Sequence, residues 1–414
     1  MNSSTSSSEP MPFDTGAARR VNLKIFAIIT LGMAACLGTF RIGIYLNDVS
    51  GDTIMSRVAS AREQLPKVVA VDEPEIVMVF GSSMVQAGFG ARQFDRELKA
   101  QGVTDVKSFN FGFGGLNPLF QDFLARRIRD EFVASDRRLR LAVIEFNPFQ
   151  TTVRRRDGAR PIEDTMMSTL MTGEEIWEVF LADPERGTQL FTIHYLRNDI
   201  SAEATGSQFA GFLSPPRPRS ELPVDEAAQA QREELNGILN ERFEEDYPDY
   251  TGEPWYWDWQ GSGTIRQERS EDTVLKLEQL YETLQTPRML ENDRLNRIHC
   301  CDIVEMHFDE ELVEAFVRIV EVFKTFADEI EVVMLPRNTG WIQYPPEGRE
   351  RLDAVLARLE AVTGIPVLDF QEVEGITPEL FSDTTHLTRY GGEEVFTRFL
   401  ADRYAPRLRA GGGN

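Results

Sequence analysis

The chain is poor in cysteine, in histidine and in net positive charge, and each shortage narrows what it can be. Its three cysteines supply no disulfide framework. Cys36 stands alone, and the neighbours Cys300 and Cys301 are expected to stay an unbridged, packed pair. The "HCC" at His299 to Cys301 lacks two further ligands at a sensible spacing, so neither a metal nor a cofactor is expected. Lys and Arg number 44 against 67 Asp and Glu, a net charge of -23. Without a strongly basic face there is little to release counterions from a nucleic acid, and extended docking on anionic lipid is disfavoured too.

Long apolar runs are scarce as well, with one exception near the N-terminus. Ile25 to Phe40 carries no charge, and a snorkelling Arg41 lets the run continue to Leu46. About 20 apolar residues suffice to cross a bilayer. The expectation is therefore a single-pass anchor over 21–46, between a disordered tail (1–20) and a stalk (47–73) that includes a first amphipathic helix. Arg19, Arg20 and Lys24 precede the run, whereas Asp48 and Asp52 follow it. The positive-inside bias then sets the tail in the cytoplasm, the anchor in the inner membrane and the rest in the periplasm or outside. A cleaved signal peptide would want a small-x-small site, which is missing. "MAAC" at Met33 to Cys36 loosely resembles a lipoprotein box, but the apolar run continues past it.

After the anchor, strands and helices alternate. "EIVMVFG" reads as a buried strand, "ARQFDRELKAQG" as a helix stopped by Gly102, and "VKSFNFGFGG" as a second strand. Asn117-Pro118 opens a helix as N-cap and first-turn proline. "LRLAVIEFNP" is a third strand, and the alternation resumes with "EIEVVMLP" and "IPVLDF" between helices. Such units make a parallel sheet in a three-layer α/β/α sandwich, here expected over 74–150 and 306–408. Between them, 151–305 loses the alternation. A structureless loop of that length is improbable, so a mainly helical insert or lid is expected, with helical patches near 226–243 and 273–285. Its "PWYWDWQ" puts Trp255, Trp257 and Trp259 at every second position. If extended, that row could stack on sugar rings, or it could simply pin the lid. Were it core, Arg154, Arg155 and Arg156 would be the next place to look for a glycan groove.

Functional groups in such sheets collect at the carboxyl ends of the strands. The first strand ends in Gly81-Ser82-Ser83, either a plain turn or a nucleophile. A nucleophilic serine needs a base, a group to orient that base, and donors for an oxyanion. Of four histidines, His194 and His307 lie in patterned segments and His299 in the cysteine pair. His386 lies in a polar loop after the last strand, three residues beyond Asp383, a spacing that lets the carboxylate hold the imidazole. The backbone N–H of Ser83, the N–H of Gly115 at the second strand end and the side-chain amide of Asn147 at the third are the expected oxyanion donors.

These positions resemble the SGNH (GDSL-like) esterases and acyltransferases. Their Gly-Asp-Ser block is similar to Gly81-Ser82-Ser83, with Ser82 in the aspartate position. Their Asn-x-x-x-x-Gly matches Asn110 to Gly115, and their Asp-x-x-His matches Asp383 and His386. Of their Gly-x-Asn-Asp, only Asn147 is kept, with Glu145 and Pro148 as departures. The resemblance covers about 74–150 and 308–405 and implies a flavodoxin-like sheet with Ser83 as nucleophile. The anchor and the Gly-Ser-Ser variant resemble membrane-anchored members that modify cell-envelope polymers. The resemblance thus implies ester hydrolysis or O-acyl transfer on an envelope glycan or other esterified acceptor, with a membrane-bound acyltransferase as a fitting partner. The rival is a non-catalytic envelope scaffold or polysaccharide-binding protein that keeps the fold.

Overall fold

The structure, a computed structural model, describes residues 24–32, 35, 38–39, 53–70, 75–196, 218–246 and 269–411. In chain order the elements are α1 (Thr53–Val69), β1 (Glu75–Gly81), α2 (Ser83–Gly88), α3 (Ala91–Ala100), β2 (Val106–Gly112), α4 (Pro118–Ala134) and β3 (Leu139–Glu145). Then follow α5 (Val153–Leu170), α6 (Gly173–Ala182), α7 (Pro184–Leu196), α8 (Glu226–Asp246), α9 (Glu271–Leu284) and α10 (Pro287–Cys301). The chain closes with α11 (Glu310–Lys324), β4 (Ala327–Met334), α12 (Pro346–Thr363), β5 (Val367–Asp369) and α13 (Gly392–Gly411).

The five strands form one sheet in the order β2-β1-β3-β4-β5, every neighbouring pair parallel. That order is a flavodoxin-like layout, in which the chain runs outward first to one side of β1 and then to the other. Six of the seven residues of β1 are buried in succession. A strand buried without alternation must be covered on both faces, which is why β1 reads as an unbroken apolar run. The covering helices fall into two groups: α13 packs on α3, and α11 packs on α4 and α12. Phe80, Phe323 and Phe326 join in a chain of tilted ring contacts that ties β1 to α11.

The expected anchor is corrected. Among the described residues no helix is long and apolar enough to cross a membrane. The single-pass, N-inside placement and the periplasmic or outside location derived from it fall with this finding. The stretch read as a stalk contains α1, whose Val58, Ala61, Leu65 and Val68 are buried against the core.

The region 151–305 leaves and re-enters the sheet domain side by side. Val153 N donates to His307 O (2.9 Å) and Asp309 N to Thr151 O (2.9 Å), beside an antiparallel bridge between Thr152 and Phe308. Its described residues are mostly helical, with α8 and α9 on the two helical patches read from sequence and α5, α6, α7 and α10 added to them. The tryptophan row Trp255, Trp257 and Trp259 lies outside the described residues. Cys300 and Cys301, expected to be unbridged, are joined by a disulfide at the end of α10.

One close approach fixes where the first two strand ends meet. A Cβ added to Gly112 would stand 2.2 Å from the backbone nitrogen of Gln86 and 2.8 Å from the carbonyl oxygen of Ser82. Both contacts are backbone, so neither can swing aside. Gly112→Ala should lower stability by about 1–3 kcal/mol, as overpacking does, and should move α2 away from the β2 end. A thermal melt checks this, and an unchanged melting temperature would contradict the contact.

Candidate functional site at the carboxyl ends of the strands

Strand β1 stops at Ser82, whose extended backbone (φ -88°, ψ -166°) and side chain form the N-cap of α2. Its Oγ accepts from Met84 N at 3.2 Å. Ser83 is therefore the first residue of the helix, a position that has no intrahelical acceptor for its N–H. Among the described residues the N–H groups of Ser83 and Gly115 have no protein acceptor. Gly115 holds φ at +72°, in the left-handed region, so the turn after β2 is suited to glycine. Asn110 ties that turn to α2. Its Nδ2 donates to Phe89 O (2.7 Å) and Val85 O (3.1 Å), and its Oδ1 accepts from Gly112 N (2.9 Å).

Ser83 Oγ lies 2.7 Å from His386 Nε2, and His386 Nδ1 lies 2.6 Å from Asp383 Oδ2. The loop that holds Asp383 and His386 folds on itself, because Asp383 Oδ1 accepts from the backbone nitrogens of Thr385 (2.7 Å) and His386 (2.8 Å). An antiparallel bridge between Phe381 and Leu387 closes its base. With Asp383 accepting from Nδ1, the tautomer leaves Nε2 as the acceptor facing the serine. Burial pushes the Asp383 carboxyl up, but the charge and hydrogen bonds of His386 and the Arg297 guanidinium outweigh it. The carboxyl is held well below its usual range and stays ionised.

Asn147 does something different from what the sequence suggests. Its Nδ2 donates to Ser82 Oγ at 2.9 Å and sits 3.4 Å from Met84 Sδ, while its Oδ1 accepts from Phe149 N at 2.9 Å. The amide thus braces Ser82, the residue before Ser83, across from β3. The same serine carries Glu145. Ser82 N and Ser82 Oγ donate to its two carboxyl oxygens at 2.5 and 3.0 Å. Burial pushes the Glu145 carboxyl up to about 7, against the hydrogen bonds from Ser82 and the charge of His386. Gly81 leaves room for it, since a Cβ there would meet Glu145 Oε2 at 2.3 Å.

Three arginines from outside the sheet grip the loops of the site. Arg57 of α1 donates to Gly112 O (2.9 Å) and Asn110 O (2.7 Å). Arg155 of α5 donates to Gly115 O and to Gln150 Oε1. Arg297 of α10 donates to Asp293 Oδ2 (2.8 Å) and Asp383 Oδ2 (3.2 Å). Arg154 and Arg156, the neighbours of Arg155, are engaged too, with Ile298 O (3.0 Å) and Asp309 Oδ2 (3.2 Å), so the arginine triplet braces the insert. Of the other histidines, His194 Nδ1 meets Ser168 O, and His307 Nδ1 pairs with Asp302 Oδ2 at 2.9 Å. Both are far from the serine in role. Among the described residues no cluster of His, Cys, Asp and Glu could hold a metal.

No protein-family model and no curated protein matches the chain.

The raised Glu145 carboxyl has a pH consequence with a definite sign. A group at about 7 when folded, against an ordinary 4.5, binds more protons in the folded state between those values. Its contribution to stability therefore falls as pH rises through that window and is flat above it. Melting curves between pH 4.5 and 7.5 should show a steeper decline for the wild type than for Glu145→Gln. Parallel curves would mean that Glu145 is ionised throughout.

Proposed function

We propose that the chain is a serine esterase or O-acyltransferase of the SGNH type. The observation that carries this reading is the unbroken line Asp383–His386–Ser83, with contacts of 2.6 and 2.7 Å. Ser83 Oγ attacks the carbonyl carbon of an ester while its proton passes to His386 Nε2. Asp383 keeps the imidazole oriented and stabilises the imidazolium that forms. The N–H groups of Ser83 and Gly115 receive the oxyanion of the tetrahedral intermediate. Collapse of that intermediate breaks the C–O bond to the leaving alcohol, which takes the proton back from His386. The acyl group is then an ester of Ser83. Attack by water, with His386 again as base, releases an acid; attack by a hydroxyl of an acceptor forms a new ester. The same groups serve both outcomes.

Several features support chemistry over a purely binding role. A scaffold has no use for an ionised Asp383 behind a histidine already in contact with a serine hydroxyl. Such convergence of nucleophile, base and orienter at strand ends is the pattern expected of an acyl-transfer site. The envelope setting rested on the anchor, so the substrate class proposed is an ester without a stated compartment.

The test is turnover of p-nitrophenyl acetate by the full chain. Ser83→Ala and His386→Ala should each lose roughly 10³-fold or more in kcat with a near-wild-type melting temperature. A variant that keeps the wild-type rate would end the serine reading.

A further inference from the structure

Arg297, on α10 of the helical insert, reaches the carboxylate behind the histidine. The side chain is largely shielded, 19% exposed. It bridges two carboxylates, with Nε on Asp293 Oδ2 at 2.8 Å and Nη2 on Asp383 Oδ2 at 3.2 Å. The same Nη2 stands 3.5 Å from His386 Nδ1. Asp293 in turn accepts from Thr384 N at 3.1 Å and from Thr384 Oγ1. Helix α10 thus holds the loop of Asp383 and His386 at both Asp383 and Thr384. Gln285, just before α10, adds two more ties, from its Nε2 to Phe381 O (2.7 Å) and Glu379 O (2.8 Å).

We propose that Arg297 is a positioning residue of the catalytic loop, through which the insert sets both the geometry and the proton affinity of the histidine. The inference rests on the serine reading for its consequences in catalysis, but the electrostatic part stands on the geometry alone. A permanent cation beside Asp383 shares the carboxylate that would otherwise support the imidazolium alone. It also repels a proton on the ring directly. Among the described residues, the charged groups around this imidazole are Asp383 on its own loop, Arg297 from α10, itself paired with Asp293, and Glu145 from the end of β3. Arg155 of α5 faces Arg297 and adds to the local positive field. Arg297 therefore acts on the histidine in two ways, through the carboxylate they share and through its own charge 3.5 Å from the ring.

Two substitutions push in opposite directions. Arg297→Met removes the cation, so the histidine should protonate at higher pH. Asp293→Asn leaves the cation less compensated, so the shift should be smaller and downward. Arg297→Lys keeps the charge and should hold the wild-type position while losing part of the geometry. The readout is the titration of the His386 imidazole by NMR in the full chain, assigned by its loss in His386→Ala, together with the acid limb of kcat/KM for p-nitrophenyl acetate. The expected result is an upward shift for Arg297→Met, restored by Arg297→Lys, with kcat reduced about tenfold. An imidazole that titrates in Arg297→Met as it does in the wild type would overturn the proposal. The NMR arm does not need turnover. Failure of the serine reading would appear separately, as a wild-type rate that Ser83→Ala leaves unchanged. If Arg297→Met does not fold, Asp293→Asn and Arg297→Lys decide by the same titration.

Discussion

A proton path of two hydrogen bonds, from Asp383 through His386 to Ser83, is the constraint that the other features serve. It joins groups 303 residues apart in sequence, so the whole sheet must form before the site exists. Parallel strands make this economical in space, because their carboxyl ends all face one edge and each ends in a loop. β1 contributes the serine, β2 the Gly115 turn, β3 the Glu145–Asn147 brace, and the segment after β5 the Asp383–His386 loop. Each loop is then held by a side chain that originates elsewhere. Arg57 holds the β2 end, Arg155 the Gly115 carbonyl, and Arg297 the carboxylate behind the histidine. Pre-organisation of this kind matters because an oxyanion site gains most when its donors need not move during reaction.

The buried carboxyl beneath Ser83 is the less usual part of the design. Glu145 is 2% exposed and accepts from both the N–H and the hydroxyl of Ser82. A buried carboxyl with two donors is a high-stakes arrangement, stable only while its partners stay in place. It fixes Ser82 as N-cap and thereby the direction in which Ser83 leaves the strand. Asn147 reinforces the same serine from the β3 side. The three residues form one polar cluster under Ser83, which couples the ends of β1 and β3 across the sheet.

Much of this was legible before any coordinates. The strand–helix alternation marked the sheet because β1 and β3 are buried on both faces and so read as plain apolar runs. Asn117-Pro118 and Gly102 marked helix ends through local chemistry, and Asp383 and His386 were visible as a short-range pair in a polar loop. What the sequence hid was long-range. Glu145 looked like a departure from a familiar block, since no local pattern reveals that β1 and β3 are neighbours. Asn147 was assigned to the oxyanion because its strand-end position was legible and its partner Ser82 was not. Arg297 lay in a segment not recognised as helical, because α10 buries only Leu290 and Cys301 and so shows no apolar stripe. Its start signal, Thr286 as N-cap before Pro287, was there to be used. The N-terminal apolar run shows the opposite failure: hydropathy and charge bias suggested a span that no described helix provides.

The most direct test of the central claim is covalent labelling of the nucleophile. A fluorophosphonate reacts with a serine hydroxyl only when a neighbouring base activates it, so it reports the Ser83–His386 contact without needing the natural substrate. Intact mass spectrometry of the full chain should show one adduct per molecule, and peptide mapping should assign it to Ser83. The label should vanish in His386→Ala although the serine remains. A folded protein that takes up no label, or one labelled at a serine other than Ser83, would contradict the account.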